Sequence, residues 1–198
     1  MALRLSAPAA PLRRRVVAFY LDGFVLVPAW IFYTVVLDAV FGPLVASDPG
    51  GAGVVVVAVD APRVALELAL TLLTDAAYYA GSWVRWGMTP GQRVCGVTVL
   101  LAESAAPAAP DGRRPPALAP HRIPAQVATT RWAVLQVLPL CVGSLGTAGA
   151  LPIEIVAGIT VGWSGFLFLS AAADPMRRAV HDRVAGTVVV LPAVRRSA

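Results

Sequence analysis

The chain has 198 residues, of which 58% are hydrophobic and 14% are charged, with a mean hydropathy of +0.73 and a net charge of +5. Because an ordinary soluble domain carries about 25% charged residues, this composition argues against that class and predicts an integral membrane protein. The sixteen basic residues are all arginines. They accompany no known nucleic-acid-binding module, so we expect no binding to nucleic acid.

The first predicted element is a transmembrane helix over residues 16–37. This segment contains no lysine or arginine, follows Arg13–Arg15, and is long enough to cross a hydrocarbon layer of about 30 Å. Asp22 lies within it, and an ionised side chain near the bilayer centre costs about 2.5–3.5 kcal/mol or more. We therefore expect Asp22 to face a partner, a cation or a water-filled path. A cleaved signal peptide is disfavoured, because Asp22 interrupts an apolar run that is already too long.

The second predicted span, residues 64–84, also carries acids. Its polar residues recur at the spacing of one helix face, namely Glu67, Thr71, Thr74, Asp75 and Tyr78. The leucines lie on the opposite side, so we expect leucines toward lipid and acids toward the interior. Two interpretations are open. The acids Asp22, Asp75 and Glu67 bind a proton or a monovalent cation, or they form hydrogen bonds that specify helix packing.

The last apolar region, residues 133–173, is too long for a single crossing. A cluster of glycines ending at Pro152 divides it into predicted spans at 133–150 and 153–173, of which the first could instead be re-entrant. Four spans with both termini cytoplasmic place fifteen of the sixteen arginines inside, whereas three spans would export the last five. The predicted fold is an all-α bundle of about four transmembrane helices in one membrane domain.

The segments between the spans predict a small cytoplasmic element. Residues 96–101 and 186–191 are β-branched runs that could pair like a β-hairpin, and residues 102–120 are rich in alanine and proline, which indicates a flexible loop. An adjacent His181 and Asp182 invite a metal or hydrolase interpretation, but no third ligand stands at metal spacing. We expect no enzyme, cofactor or metal site. Cys95 and Cys141 are predicted to be free thiols.

Asp182 is instead expected to pair with Arg15, Arg93 or Arg183. The predicted charge cluster at the cytoplasmic face consists of Arg15, Arg93, Asp174, Arg178, His181 and Asp182.

Three sequence blocks, at residues 14–22, 88–99 and 174–190, together resemble the RDD family of bacterial membrane proteins. The family is named for an arginine and two aspartates, which by position resemble Arg15, Asp22 and Asp182, with Asp174 as another candidate for the last. One departure is that Gln92 stands where the family usually has a lysine, so a role that needs that lysine's charge is in doubt.

The resemblance implies a multi-pass protein of the bacterial cytoplasmic membrane, in a family where sodium or potassium/proton antiport has been proposed for some members. Two functions therefore remain open. The first is a small cation/proton transporter that uses intramembrane carboxylates. The second is a non-transporting membrane module that binds a protein partner or anionic lipid through its arginine-rich cytoplasmic face. Membrane lipids are expected partners in either case, and a homo-oligomer is possible because the last span carries several glycines.

Overall fold

The computed structural model describes residues 8–42, 46–47, 54–55, 60–105, 123–149 and 151–191. The described chain is mainly helical, with short strands at two places. In chain order its elements are α1 (Leu12–Phe41), β1 (Ala46–Ser47), β2 (Val54–Val55), α2 (Ala61–Trp86), α3 (Pro90–Val94), β3 (Thr98–Leu101), α4 (Ala125–Trp132), a π-helical turn (Ala133–Val137), α5 (Leu138–Thr147), α6 (Ile153–Ala173), α7 (Val180–Val184) and β4 (Thr187–Val190).

Helix α1 has 30 residues and a length of about 45 Å, so it extends beyond the predicted span 16–37 at both ends. Its apolar side chains point mainly outward, and Phe24 and Phe32 are each 71% exposed. Among the described residues, α1 and α6 are the two helices that are long and apolar enough to cross a membrane. Exposed apolar faces of this kind suit lipid as the surrounding solvent.

Helix α2 separates its polar and apolar faces as the sequence pattern predicts. Leu66 and Leu73 are 41% and 68% exposed, whereas Asp75 is fully buried. The helix begins after Asp60, whose side chain accepts a hydrogen bond from the backbone N–H of Arg63, and it ends at Gly87 in the left-handed conformation that favours glycine. The predicted span 64–84 lies inside this helix.

The predicted span 133–150 corresponds to the π-helical turn and α5, which continue directly from α4. A proline at position 139 lies at the start of α5, next to this turn. The chain then turns and enters α6 at Ile153, which is also where the predicted span 153–173 begins. At the turn, α5 and α6 approach closely, since a Cβ on Gly146 would stand only 2.6 Å from a methyl group of Val156.

The two β-branched runs form one antiparallel sheet, as predicted, with Thr98 opposite Val190 and Leu101 opposite Thr187. Between the two strands the chain passes through α4, the π-helical turn, α5, α6 and α7. The sheet therefore pairs two remote segments and is not the hairpin-like element that the sequence predicts. Most of both strands is buried. The predicted flexible loop at 102–120 lies largely outside the described residues, which include only its first four positions.

Candidate ion-binding site in the helix bundle

A cavity of about 800 Å³ lies between α1, α2, α5 and α6, and its lining is mostly apolar. It follows α1 from Leu12 to Trp30, a distance of about 27 Å along the helix axis. Its charged lining residues, among those described, are Arg15, Asp22, Asp75, Arg131 and Asp182, and Gln136 and His181 add further polar groups. Asp22 and Asp75 therefore line the same cavity, whereas Glu67 is half-buried on α2 and is not part of its lining.

Asp22 is held by three hydrogen-bond donors. Its Oδ1 accepts from the Tyr78 hydroxyl at 2.7 Å and from the Gly91 backbone N–H at 2.8 Å, and its Oδ2 accepts from the Thr89 hydroxyl at 2.6 Å. The side chain is 1% exposed. Hydrogen bonds to a charged acceptor are stronger than neutral ones, so this carboxylate fastens α1 to α2 and to the start of α3.

The segment that meets Asp22 is organised by a capping box. The Thr89 hydroxyl accepts from the Gln92 N–H at 3.2 Å, while the Gln92 side-chain oxygen accepts from the Thr89 N–H and from the Trp83 indole, both at 3.0 Å. A lysine at position 92 would offer no acceptor to the Thr89 N–H or the Trp83 indole, because its ammonium group can only donate hydrogen bonds. Gly91 is required by space, because a Cβ there would lie 2.7 Å from Oδ1 of Asp22.

Asp75 has a different environment from Asp22. It is fully buried, and its Oδ2 accepts one hydrogen bond, from the Trp132 indole at 3.0 Å. Its Oδ1 has no hydrogen-bond partner among the described residues. Gln136 lines the same cavity from the π-helical turn and is 8% exposed. A buried carboxylate oxygen without a donor is an open acceptor for a proton or a cation.

At the other end of the cavity, Asp182 is the centre of a buried ion-pair cluster. Its Oδ1 lies 2.8 Å from Nη2 of Arg131 and its Oδ2 lies 3.4 Å from Nη1 of Arg15. The Ala179 N–H and the Thr187 hydroxyl also donate to it, each at 3.3 Å. Burial alone would raise the pKa of Asp182, but the neighbouring guanidiniums lower that pKa to about 2. We call Arg15, Arg131, His181 and Asp182 the Asp182 cluster.

Arg131 was absent from the predicted cluster. It lies at the end of α4, is 2% exposed, and stacks its guanidinium on the Trp83 ring at 4.3 Å from the ring centroid. Its position just before the long apolar region was visible in the sequence. Nothing local, however, distinguishes it from other arginines at helix ends, because its partner Asp182 is supplied by a remote segment.

Other predicted members of the cluster lie elsewhere. Arg93 is exposed, and its side chain makes no hydrogen bond or ion pair in the described part of the chain. Asp174 caps a turn by accepting from the Met176 N–H at 2.7 Å, and one of its oxygens stands 3.8 Å from Nε of Arg178. The structure therefore brings together Arg15, His181 and Asp182, and it places Asp174 and Arg178 in a separate pair.

His181 lies beside Asp182 with its Nε2 at 3.6 Å from Oδ1. Burial lowers the pKa of His181 to about 4, and the charges of Arg131 and Arg15 act in the same direction, while Asp182 opposes them. The imidazole is therefore neutral near pH 7. Within the described residues, no group of three His, Cys, Asp or Glu side chains could hold a metal ion.

These features define a helical membrane protein with buried carboxylates around an apolar cavity. The RDD family model matches residues 9–110, more than half of the chain, and the chain belongs to the RDD family, whose members are membrane-associated. The matched region contains Arg15, Asp22 and the capping box, whereas Asp182 lies beyond it. Comparison with curated proteins and with solved structures gives no match.

Proposed function

We propose that the protein is a small membrane transporter that exchanges a proton for a monovalent cation at Asp75. The observation that carries this proposal is the buried Oδ1 of Asp75, which has no hydrogen-bond partner among the described residues and belongs to a side chain that lines the cavity. Asp22 was an equal candidate from the sequence. Its three donors already satisfy the carboxylate, so we assign it a structural role in joining α1 to α3.

The charge balance of the cavity supports a single positive charge as the ligand. Its described lining has three carboxylates, from Asp22, Asp75 and Asp182, against the guanidiniums of Arg15 and Arg131, with His181 neutral. An uncompensated charge is costly in a low-dielectric interior. One proton or one monovalent cation would restore neutrality, whereas a divalent ion would leave an excess positive charge.

The proposed topology has four crossings, formed by α1, α2, the continuous helix from α4 to α5, and α6, with both termini in the bacterial cytoplasm. The positive-inside rule supports this orientation, because it places the Asp182 cluster and the exposed Arg13, Arg14 and Arg183 on the cytoplasmic side. In this arrangement the Asp182 cluster closes the cavity toward the cytoplasm. The arginines that hold Asp182 ionised also disfavour it as a general base near pH 7, so the proposal is transport and not catalysis.

The test is proton movement driven by sodium or potassium in liposomes that contain the purified protein. Asp75→Asn is the test variant. Glu67→Gln is the matched control, because Glu67 lies two turns away on the same helix and is not part of the cavity lining. We expect exchange in the wild type and in Glu67→Gln, and its loss in a folded Asp75→Asn.

Equal exchange in the wild type and Asp75→Asn would contradict the assignment of Asp75. No exchange by folded wild-type protein would contradict transport itself and would favour the non-transporting module. In that case the exposed Arg13, Arg14, Arg177 and Arg183 would be the surface to test against anionic lipid.

A further inference from the structure

The cavity is far larger than a bare monovalent metal ion requires. Its volume of about 800 Å³ falls within the range of roughly 300–1,000 Å³ that is typical of pockets for drug-sized organic ligands. Its lining is mainly apolar, and a hydrated metal ion gains little from such walls. A ligand that fills this space must combine one positive charge with a large apolar surface.

Aromatic rings make up much of the wall. Eight aromatic side chains of the described residues line the cavity, namely Phe19, Tyr20, Phe24, Trp30, Tyr79, Trp83, Trp163 and Phe168. The face of an aromatic ring attracts organic cations, most strongly when water is excluded. One face of Trp83 is already covered by Arg131, but the other rings have no cation stacked on them in the described part of the chain.

The cavity also has an entrance at the lipid-facing surface. Tyr20, Phe24 and Val161 line the cavity and are nevertheless 62%, 71% and 71% exposed. They lie on α1 and α6, so the opening is at the two described helices that are long and apolar enough to cross a membrane. A lipophilic molecule dissolved in the membrane can reach the interior by this route without crossing the aqueous phase.

The two arginines of the cavity are placed away from Asp75. The guanidinium of Arg131 stacks on Trp83, which is eight residues, or about 12 Å of helix, from Asp75 on α2. Arg15 is held by Asp182 and by the carbonyl of Arg177. The two guanidiniums therefore lie at the α7 end of the cavity. The unpartnered oxygen of Asp75 lies nearer the N-terminus of α2.

We infer that the cation exchanged at this site is a lipophilic organic monocation, such as a quaternary ammonium or an aromatic phosphonium. This inference rests on the proposed function of Asp75. The cation enters between α1 and α6, stacks on the aromatic wall and pairs with the carboxylate. Protonated Asp75 releases one proton as one cation binds, so the net charge of the site is the same in its protonated and its cation-bound state.

The experiment measures proton release from purified, detergent-solubilised protein in weak buffer when a cation is added. The probes are tetraphenylphosphonium, sodium and potassium. Gly165→Leu is the cavity variant, because Gly165 lines the cavity and a Cβ there meets open space. Gly162→Leu is its matched control on the same helix, since Gly162 is exposed, has the same open space and is not part of the lining.

We expect tetraphenylphosphonium to release about one proton per protein at concentrations at least tenfold lower than sodium or potassium requires, a difference of roughly 1.4 kcal/mol or more. Gly165→Leu should weaken this binding by about tenfold or more, whereas Gly162→Leu should leave it unchanged.

Proton release by sodium or potassium but not by tetraphenylphosphonium would overturn the organic-cation inference and leave the proposed exchange intact. Equal binding of tetraphenylphosphonium to Gly165→Leu and Gly162→Leu would overturn the placement of the ligand in the cavity. If none of the three cations releases a proton from folded protein, the exchange function itself is wrong.

Discussion

Asp22 and Asp75 are both buried acids of the helical bundle, and their hydrogen bonds separate their roles. Three donors from α2, α3 and the turn before it converge on Asp22, whereas the Trp132 indole is the one donor found for Asp75 among the described residues. The carboxylate of Asp22 is part of the framework, and that of Asp75 retains a free oxygen. Substitutions at the two positions should therefore affect different properties of the protein.

Asp22→Asn should lower the free energy of unfolding by about 1–3 kcal/mol, because an amide offers one acceptor oxygen where the carboxylate accepts three hydrogen bonds. Asp75→Asn keeps an oxygen for Trp132 and should be less destabilised. Thermal unfolding of both variants in the same detergent measures the difference. A larger loss in Asp75→Asn than in Asp22→Asn would contradict the framework role of Asp22.

Arg131→Met should destabilise the protein by about 3–5 kcal/mol, because it leaves the fully buried Asp182 with the longer ion pair to Arg15 alone. The same change at the exposed Arg93 is the control and should be within about 0.5 kcal/mol of the wild type. Denaturant unfolding in mixed micelles compares the two variants. Similar stabilities would show that Asp182 does not depend on Arg131.

His181 should make the protein less stable in mild acid. Its pKa is about 4 in the folded state and about 6.5 when unfolded, so the unfolded state binds more protons between these values. Stability from this group is complete above pH 6.5 and is lost as the pH falls toward 4, by up to about 3 kcal/mol. His181→Gln should remove this part of the difference in unfolding temperature between pH 7.5 and pH 5. An unchanged difference would contradict the assignment.

At the scale of elements, α3 shows how a short helix is fixed by contacts from other helices. Its five residues are too few to be stable alone, and the capping box, Asp22 and the Trp83 indole hold its first turn. Gly91 permits the approach of α3 to α1, since a side chain there would meet both Asp22 and the carbonyl of Ala18. The contact between α1 and α3 therefore depends on the absence of a single methyl group.

Gly91→Ala should lower the free energy of unfolding by about 1–3 kcal/mol, because the added methyl must displace α3 from α1. Gly81→Ala is the matched control. It lies within α2 with open space around its Cβ, so helix propensity alone should make it neutral or stabilising by up to about 1 kcal/mol. Thermal unfolding of the two variants distinguishes local crowding from a general effect of alanine. Equal stability would contradict the close contact.

At the scale of the whole molecule, exposed apolar side chains surround a small number of buried charges. The helices α1 and α6 expose apolar side chains along most of their length, while the buried charges include Asp22 from α1, Asp75 from α2 and Arg131 from α4. At the end of the bundle where α1 ends and α2 begins, Arg63 joins these two helices. Its side chain is 2% exposed and donates hydrogen bonds to the Asp38 carboxylate and the Gly42 carbonyl. The opposite end is joined by the Asp182 cluster.

The proposed four-crossing topology predicts that these two ends lie on opposite sides of the membrane. In a background with Cys95 and Cys141 replaced by serine, Ala61→Cys should react with a membrane-impermeant maleimide added outside intact cells. Arg183→Cys should react only in inside-out vesicles; both positions are exposed. Labelling of both cysteines from the same side would contradict the topology.

The predicted apolar helices and the predicted polar and apolar faces of α2 agree with the structure, because both depend on short-range patterns in the sequence. A membrane-spanning helix needs only a long apolar run, and the two faces of α2 follow from its 3.6-residue period. The pairing of β3 with β4 could also be predicted from the sequence, since each β-branched run has few other segments with which it could form a sheet.

The sequence by itself determined a membrane protein, its apolar helices, the buried side of α2 and a small sheet, because hydropathy and periodicity act locally along the chain. Only the tertiary structure decided that Arg131 and not Arg93 reaches Asp182, and that Asp22 accepts three hydrogen bonds. It also decided that one oxygen of Asp75 has no hydrogen-bond partner among the described residues, in a large cavity lined by aromatic rings. These outcomes depend on contacts between residues far apart in sequence, whose distances are set by helix packing and not by any pattern within one segment.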